Sequence, residues 1–188
     1  MSIWVLNTQK IKLFLKKMEN KEDFIVLGID PGYDRLGLAV VKKSSSKKEE
    51  LVFSECFLTD KKLPHEERLS LLRKEVDKII KQHKPDYVSM ESLFFSTNKK
   101  TAIKVSESRG VISECVASNN IPLFEIPPNT IKLSVTGDGR ADKASVIKMV
   151  PFIIPSAKSI KIDDEMDAVA CAIAFISMKN TLIHTKNF

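Results

Sequence analysis

Four acidic residues stand at positions where carboxylates could take part in chemistry. Asp30 directly follows the apolar run FIVLGI and Glu91 follows YVSM, so each acid ends a predicted strand. Asp164 and Asp167 are three residues apart at the start of a predicted helix, which places both on one helix face. Capping of the helix dipole would explain an acid at Asp164. It explains Asp167 less well, because the apolar segment AVACAIAF begins directly after it.

Carboxylates that converge repel one another, and some stay protonated unless divalent cations neutralise them. Oxygen ligands of this kind suit Mg²⁺ or Mn²⁺. Two such ions about 4 Å apart promote in-line displacement at a phosphodiester, because one activates water while the other stabilises the leaving oxygen. The four acids therefore predict metal-dependent phosphodiester hydrolysis.

The elements that must position these acids form an α/β fold. Predicted strands cover residues 24–29, 36–41, 51–58, 86–91 and 121–126, and predicted helices begin near residues 64, 101, 127, 142 and 164. The first three strands are expected to be antiparallel, and the later ones parallel, with helices on both faces of a mixed sheet. If the helical crossover makes the fourth strand a parallel neighbour of the first, Asp30 and Glu91 meet at one sheet edge. Gly28 leaves room for a close backbone approach beside Asp30.

Length and composition fit one globular domain. The chain has 188 residues, 43% of them hydrophobic, and a formal net charge of +6, which is compatible with a nucleic-acid partner without requiring one. We expect a single domain over residues 24–180, an N-terminal extension over residues 1–23 and a C-terminal tail over residues 181–188. The extension is either an amphipathic helix for a partner or surface, or a segment with no bearing on the fold, with Met18 as an alternative start.

The remaining special residues point to no further site. The three cysteines are scattered and form no CxxC pair, which fits a reducing compartment and a cytoplasmic location. The histidines His65, His83 and His184 lack the spacing of metal ligands and receive no role. Since no apolar run is long enough to cross a bilayer, we expect no membrane association.

Five ordered motifs resemble one known family. They are GIDPG, VSMESLFF, SESRG, IKLSVTGDGRADKASV and DEMDAVACAIA. Together they span roughly residues 25–176 and are similar to the RuvC family of Holliday junction resolvases, which has the ribonuclease H-like fold. The resemblance implies a metal-dependent endonuclease that acts on four-way DNA junctions as a homodimer. By motif position, it implies a catalytic and metal-binding set of Asp30, Glu91, Asp164 and Asp167.

The resemblance also implies cofactors and partners. Two Mg²⁺ ions per active site are expected, with Mn²⁺ as a substitute, and a branch-migration motor complex is a candidate partner. Each subunit would nick one of two strands of like polarity, because a twofold dimer meets a near-twofold junction. Asp163 and Glu165 flank Asp164 and are alternatives for the third acid.

Aromatic residues follow the second acid in the loop that, in this family, enters the junction and stacks on bases. Phe94 falls at the stacking position and Phe95 follows it. Stacking on an unpaired base is worth about 1 to 3 kcal/mol, so Phe94→Ala is expected to lose much of the cutting rate. We expect Phe94 to be exposed and Phe95 to be buried, although core packing would account for either residue.

Basic residues in the matching motifs are expected to approach DNA phosphates. Lys132 and Lys143 match positions near the cut, and Lys104 and Arg109 would extend the same surface. Each of these residues is equally compatible with a solvated surface cation.

Other classes of protein share part of this pattern. An actin-like ATPase or sugar kinase has a similar GID-G phosphate loop, but it needs two related domains, and this chain has room for one. An inactive junction-binding protein would not need the complete acid set. A YqgF-like nuclease of the same fold usually lacks a segment such as residues 101–150. Metal-dependent cutting of branched DNA would indicate a nuclease, ATP turnover an ATPase or kinase, and junction binding without cutting an inactive binding protein.

Overall fold

Five strands form one mixed sheet in the computed structural model, which describes residues 21–92 and 99–185. The strands are β1 (Phe24–Asp30), β2 (Arg35–Lys43), β3 (Glu50–Leu58), β4 (Tyr87–Glu91) and β5 (Leu123–Ile126). Their order across the sheet is β3-β2-β1-β4-β5. The first three strands are antiparallel, whereas β4 runs parallel to β1 and β5 parallel to β4. The predicted mixed sheet is therefore confirmed.

Helices cover both faces of the sheet. They are α1 (His65–His83), α2 (Lys99–Ser118), α3 (Pro128–Thr136), α4 (Lys143–Ile153), a 3₁₀-helix (Pro155–Ser159) and α5 (Asp163–Thr185). The helix α1 follows Pro64 and carries Glu66 and Glu67 in its first turn, where the positive end of the helix dipole stabilises acidic side chains. Nearly all of the predicted extension over residues 1–23 lies outside the described residues.

Two helices differ from the sequence prediction. The segment 151–163 is predicted to be irregular, but α4 continues through Pro151, and the Ile154 amide donates to the Val150 carbonyl at 2.8 Å. Val150 and Ile154 are both fully buried, so packing holds this last turn despite the missing proline amide. The helix α5 runs to Thr185, beyond its predicted end at Met178 and into the predicted tail. Within residues 21–92 and 99–185, no helix is long and apolar enough to span a membrane.

The strand β1 is buried on both faces, as its apolar run predicts. Val26 lies in a core beneath α5, whereas Leu27 and Ile29 lie in a second core with residues of α1 and α2. Because successive side chains of a strand alternate between faces, Asp30 lies on the same face as Val26. The first acid is thus directed toward α5.

Two glycines let α5 lie directly on the sheet. A Cβ atom at Gly28 would be 2.1 Å from the carbonyl oxygen of Ala168, and one at Gly37 would be 2.1 Å from that of Asp164. No side chain fits at either position without moving the helix backbone. Since Gly37 is the register partner of Asp30, the close contact brings the first turn of α5 next to the first acid.

Candidate active site

The sheet and α5 bring the four predicted acids to one edge of the molecule. Asp30 ends β1 and Glu91 ends β4, and these strands are parallel neighbours with Ile29 opposite Met90. Asp164 and Asp167 lie in the first turns of α5, which the contact with Gly37 places over Asp30. The convergence expected from the sequence therefore has a structural basis in strand register and in one glycine contact.

The environment of Asp30 opposes its ionisation. Burial, followed by the negative charges of Asp167, Glu91 and Asp164, raises the pKa of Asp30 to about 7. Burial and the charge of Asp167 also raise the pKa of Glu91. Without a cation beside it, Asp30 therefore holds its proton to a much higher pH than an ordinary aspartate, because four carboxylates share one confined region.

Two cations neutralise the acids of α5. Lys143 Nζ lies 2.8 Å from Asp167 Oδ2, and Arg35 donates to Asp164 Oδ2 from Nε at 2.9 Å and from Nη2. Burial is the largest single influence on the pKa of Asp164 and raises it, but the hydrogen bonds and charge of Arg35, a backbone hydrogen bond and the charge of Lys143 together leave that pKa below its usual value. For Asp167 burial dominates, and its pKa lies above the usual value despite Lys143.

The donor chemistry of the site fits a divalent cation, but the side chains do not form a ready-made cage. Among the described residues, no three His, Cys, Asp or Glu side chains are grouped so that they could hold a metal ion. Two of the four carboxylates are instead turned to Arg35 and Lys143. The all-oxygen set with its mutual repulsion is nevertheless the kind of set that Mg²⁺ or Mn²⁺ stabilises.

The two acids that flank Asp164 have other contacts. Glu165 accepts a hydrogen bond from the hydroxyl of Ser54 on β3. Asp163 lies 3.5 Å from Lys143 Nζ and has a side chain that is 61% exposed. By contrast, Asp164 is among the carboxylates whose charge raises the pKa of Asp30. These contacts favour Asp164 as the third acid.

A cavity of 160 Å³ opens on the β4 side of Asp30. Its lining includes both predicted lysines of the later motifs, Lys132 and Lys143, together with Glu91 and Asp167. Lys143 begins α4 directly after the N-cap Asp142, whose carboxylate accepts from the Ser145 amide at 2.8 Å. The cap thus fixes the position from which Lys143 reaches the acids.

A second cavity, of 370 Å³, opens on the β2 side of Asp30. It is lined by the turn between β1 and β2, by Arg35 and Asp164, and by Lys104 of α2. The turn is fixed by Tyr33, whose hydroxyl lies 2.8 Å from His65 Nδ1, and His65 Nε2 lies 3.0 Å from Glu107 Oε2. His65 therefore has a structural contact that its sequence position gave no reason to expect.

Arg109, which was expected to extend the DNA-binding surface, is largely buried at the end of β4. Its residue is only 7% exposed, and its guanidinium donates to the backbone carbonyl of Glu91 and pairs with Glu125 at 2.8 Å. In this arrangement the buried guanidinium supports the end of β4, and a contact of Arg109 with DNA stays a prediction. Phe94 and Phe95 lie outside the described residues, and their roles stay predictions.

Sequence reasoning also missed Arg35. It is the first residue of β2, and its partner Asp164 is 129 positions away in the chain. Nothing local in the sequence pairs these residues. The only signal was a basic residue two positions before the glycine that contacts α5.

Comparisons with known proteins agree with this geometry. Residues 26–175 match the family model described as crossover junction endodeoxyribonuclease RuvC. The protein of that name from Thermosipho melanesiensis is 40% identical over 147 residues, covering 78% of this chain and 93% of that protein. The one from Brachyspira hyodysenteriae is 42% identical over 153 residues, covering 81% of this chain and 94% of that protein.

A solved structure shows the same architecture. The structure of T. thermophilus RuvC in complex with Holliday junction substrate has a TM-score of 0.79 and 27% sequence identity, covering 84% of this chain and 96% of that chain. This likeness confirms the predicted ribonuclease H-like α/β fold. The sequence relatives and the family model together show that the chain belongs to the family of crossover junction endodeoxyribonuclease RuvC.

Proposed function

We propose that this chain resolves four-way (Holliday) DNA junctions by metal-dependent, paired nicking of two strands of like polarity. The observation that carries the proposal is the position of Asp30, whose pKa is raised to about 7 by burial and by the charges of Asp167, Glu91 and Asp164. Such a cluster is unfavourable on its own and becomes favourable beside a divalent cation. Membership in the RuvC family supplies the substrate class.

Asp30, Glu91, Asp164 and Asp167 would hold the metal, and we propose two Mg²⁺ ions per site with Mn²⁺ able to substitute. When bound, such ions activate a water molecule and stabilise charge on the leaving oxygen. The chain's own residues prepare the site by keeping the acids together. Arg35 and Lys143 neutralise Asp164 and Asp167, the two carboxylates that would be shared with a bound cation.

The substrate phosphate would meet lysines on the β4 side of the acids. Lys132 and Lys143 line the cavity that also contains Glu91 and Asp167. An ammonium group attracts a phosphate from several directions, which suits the positioning of a flexible DNA strand. Arg109 acts indirectly, since it binds the backbone of Glu91 and so fixes the strand end that carries this acid.

The partners follow from the reaction. We propose a homodimer, because two cuts in strands of like polarity need two sites related by a twofold axis. Phe94, with Phe95 beside it, would stack on bases opened at the junction, and a branch-migration motor complex is a candidate partner. A cytoplasmic location fits the free cysteines Cys56, Cys115 and Cys171.

The matched pair Asp164→Asn and Asp163→Asn tests the assignment of the acids. Both changes remove one negative charge from neighbouring positions, but Asp164 is the one whose charge is among the main causes of the raised pKa of Asp30. With a labelled four-way junction and Mg²⁺, we expect Asp164→Asn to lose at least about 100-fold in cutting rate, equivalent to about 2.7 kcal/mol, and Asp163→Asn to stay within a few-fold of wild type. Junction binding, measured by gel shift, should persist in both variants.

Asp30→Asn and Asp167→Asn extend the test to the rest of the site. Each should bind the junction and fail to cut it, because the fold and the lysines remain while the metal ligands are incomplete. Normal cutting by Asp30→Asn with Mg²⁺ would show that the site is assigned wrongly. Equal losses of cutting rate for Asp163→Asn and Asp164→Asn would contradict the assignment of Asp164 as the third acid.

A further inference from the structure

Two lysines near the acids stand out because they form no ion pair among the described residues. The other cations close to the site are engaged: Arg35 with Asp164, Lys143 with Asp167 and Arg109 with Glu125. Lys104 and Lys132 lack such a carboxylate partner among the side chains described, those of residues 21–92 and 102–181. Each lines one of the two cavities beside Asp30. An unpaired cation next to a cavity is available for an anion.

The two cavities lie on opposite sides of Asp30. The sheet order places β2 on one side of β1 and β4 on the other. The cavity of Lys104 contains Arg35 of β2 and the turn that follows Asp30, whereas the cavity of Lys132 contains Glu91 of β4. A DNA strand with one phosphodiester at Asp30 would therefore place its next phosphates toward these two cavities.

The cavity of Lys104 has a firmly held wall. Tyr33 is 6% exposed, and the guanidinium of Arg68 lies 3.9 Å and the ammonium of Lys104 5.3 Å from the centroid of its ring. Arg68 is itself buried and donates from Nε to the hydroxyl of Thr59 at 3.0 Å and from Nη2 to the carboxylate of Asp34. This packing orients the aromatic face that attracts Lys104.

The carboxylates in the wall do not cancel the charge of Lys104. Asp34 lines the cavity but is bound by Arg68 and lies 3.4 Å from Lys61 Nζ. Asp164 also lines it and is bound by Arg35. Because each of these acids already has a cation, Lys104 is the charge in this cavity left for a ligand.

We propose that the cavity lined by Tyr33, Arg35 and Lys104 binds the DNA backbone phosphate next to the phosphodiester that is cut, on the side away from Lys132. The inference rests on the proposed function and adds to it the path that the DNA backbone follows across the acids. Lys132 and Lys104 hold the backbone on either side of the acids, and the scissile phosphodiester is placed between them. Lys104 is a positioning residue, with Tyr33 as its support.

Salt dependence of junction binding tests the contact without relying on cutting. Binding would be measured at several KCl concentrations with Ca²⁺ in place of Mg²⁺. Removing one phosphate contact reduces the slope of log K against log salt by about 1. We expect that change for Lys104→Ala and full rescue by Lys104→Arg, which keeps the charge. Lys81→Ala is the matched control, because Lys81 pairs with Asp77 at 2.5 Å on α1, away from the acids.

A junction with a single uncharged methylphosphonate would locate the contact. The modification would be placed in turn at each phosphate flanking the cut. At one flanking position, wild type should lose as much affinity as Lys104→Ala loses on the unmodified junction, and Lys104→Ala should lose nothing further there. Lys132→Ala should be insensitive at a position on the opposite side of the cut.

The outcomes separate this inference from the proposed function. If wild type binds and cuts the junction while Lys104→Ala shows an unchanged salt slope, the inference is wrong and the proposed function stands. If the losses from Lys104→Ala and from every flanking methylphosphonate add together, the phosphate contact is likewise overturned. A wild-type protein that neither binds nor cuts the junction would overturn both. Thermal unfolding of Lys104→Ala, expected to match wild type, checks that the variant is folded.

Discussion

Asp30 is the residue whose ionisation the surroundings of the site change most clearly. Burial and three neighbouring carboxylates raise its pKa to about 7, whereas Arg35 leaves the pKa of Asp164 below its usual value. Two acids in one site therefore have different protonation at neutral pH. The difference arises first because burial raises the pKa of Asp30 more strongly than any other influence, and second because Arg35 reaches Asp164 whereas no described cation forms an ion pair with Asp30.

The raised pKa of Asp30 predicts a pH dependence of stability in the protein without metal. Between about pH 4 and pH 7 the native state holds a proton that the unfolded state has lost, so this group makes stability fall as pH rises. In chelator, we expect Asp30→Asn to match wild type near pH 4 and to be more stable by on the order of 2 to 4 kcal/mol at pH 8.

Urea unfolding at pH 4, 5, 6, 7 and 8 measures this difference. Asp163→Asn serves as a control, since its side chain is exposed and pairs with Lys143 at 3.5 Å. Glu91 and Asp167, whose pKa values are also raised, should leave some pH dependence in Asp30→Asn. Parallel stability curves for wild type and Asp30→Asn would show that Asp30 titrates normally in the folded protein.

At the scale of elements, the contact of α5 with the sheet determines where two of the acids lie. Gly28 and Gly37 leave space for the carbonyl oxygens of Ala168 and Asp164, each 2.1 Å from where a Cβ atom would be. The helix therefore sits lower on the sheet than ordinary side chains would allow. Its first turn reaches Asp30 for this reason, so the geometry of the site depends on residues that carry no chemistry.

Gly37→Ala tests this contact. The added methyl group must displace the backbone of α5 at Asp164, and overpacking of this kind costs about 1 to 3 kcal/mol or more. We expect lower stability by thermal unfolding and reduced cutting of a four-way junction, because Asp164 moves away from Asp30.

Gly110→Ala is a matched control for that change. Gly110 lies in α2, and a Cβ atom there would meet nothing within 4 Å. Alanine should stabilise this helix by about 0.5 to 1 kcal/mol, because glycine lowers helix stability. If Gly37→Ala behaved like Gly110→Ala, the close packing of α5 on β2 would not be required.

The N-cap of α4 gives a second prediction at this scale. Asp142 accepts a hydrogen bond from the Ser145 amide, and the next residue, Lys143, reaches Asp167. Asp142→Ala should cost about 1 kcal/mol of stability, and Asp142→Asn should keep most of the cap. Equal stability of the alanine and asparagine variants in chemical denaturation would contradict a capping role.

The sequence predicted local features well and long-range ones poorly. Apolar runs that end at Asp30 and Glu91 indicated two strands and the sheet edge at which they meet. A buried strand can be predicted in this way because its apolar residues are consecutive in the sequence. The ion pair of Arg35 with Asp164 depends on contacts across the fold. Burial of Arg109 could not be foreseen either, since its partners Glu91 and Glu125 lie on two strands. The continuation of α4 through Pro151 likewise depends on packing, which outweighed the local preference of proline.

At the scale of the whole molecule, positive and negative charges are separated around the site. The chain carries a formal net charge of +6, while the edge beside Asp30 collects four carboxylates. Lysines in two cavities flank that edge. A polyanion is attracted by the surrounding cations, and the acids at the centre then need a divalent cation before the backbone can approach them.

The proposed homodimer gives the prediction that belongs to this scale. In solution the protein should have twice the 21.2 kDa mass of one chain, measured by sedimentation. A mixed dimer with one wild-type and one Asp30→Asn subunit should nick a single strand per junction if, as proposed, each subunit cuts one strand. Two nicks per junction from such a mixed dimer would show that one active site can serve both strands.

The most direct measurement compares the cutting of a labelled four-way junction, a linear duplex of the same sequence and a forked duplex, each with Mg²⁺ and with chelator. We predict paired, symmetric nicks in the four-way junction alone and only with Mg²⁺. Comparable cutting of the linear duplex, cutting in chelator, or binding of the junction without any cutting would contradict a metal-dependent junction resolvase.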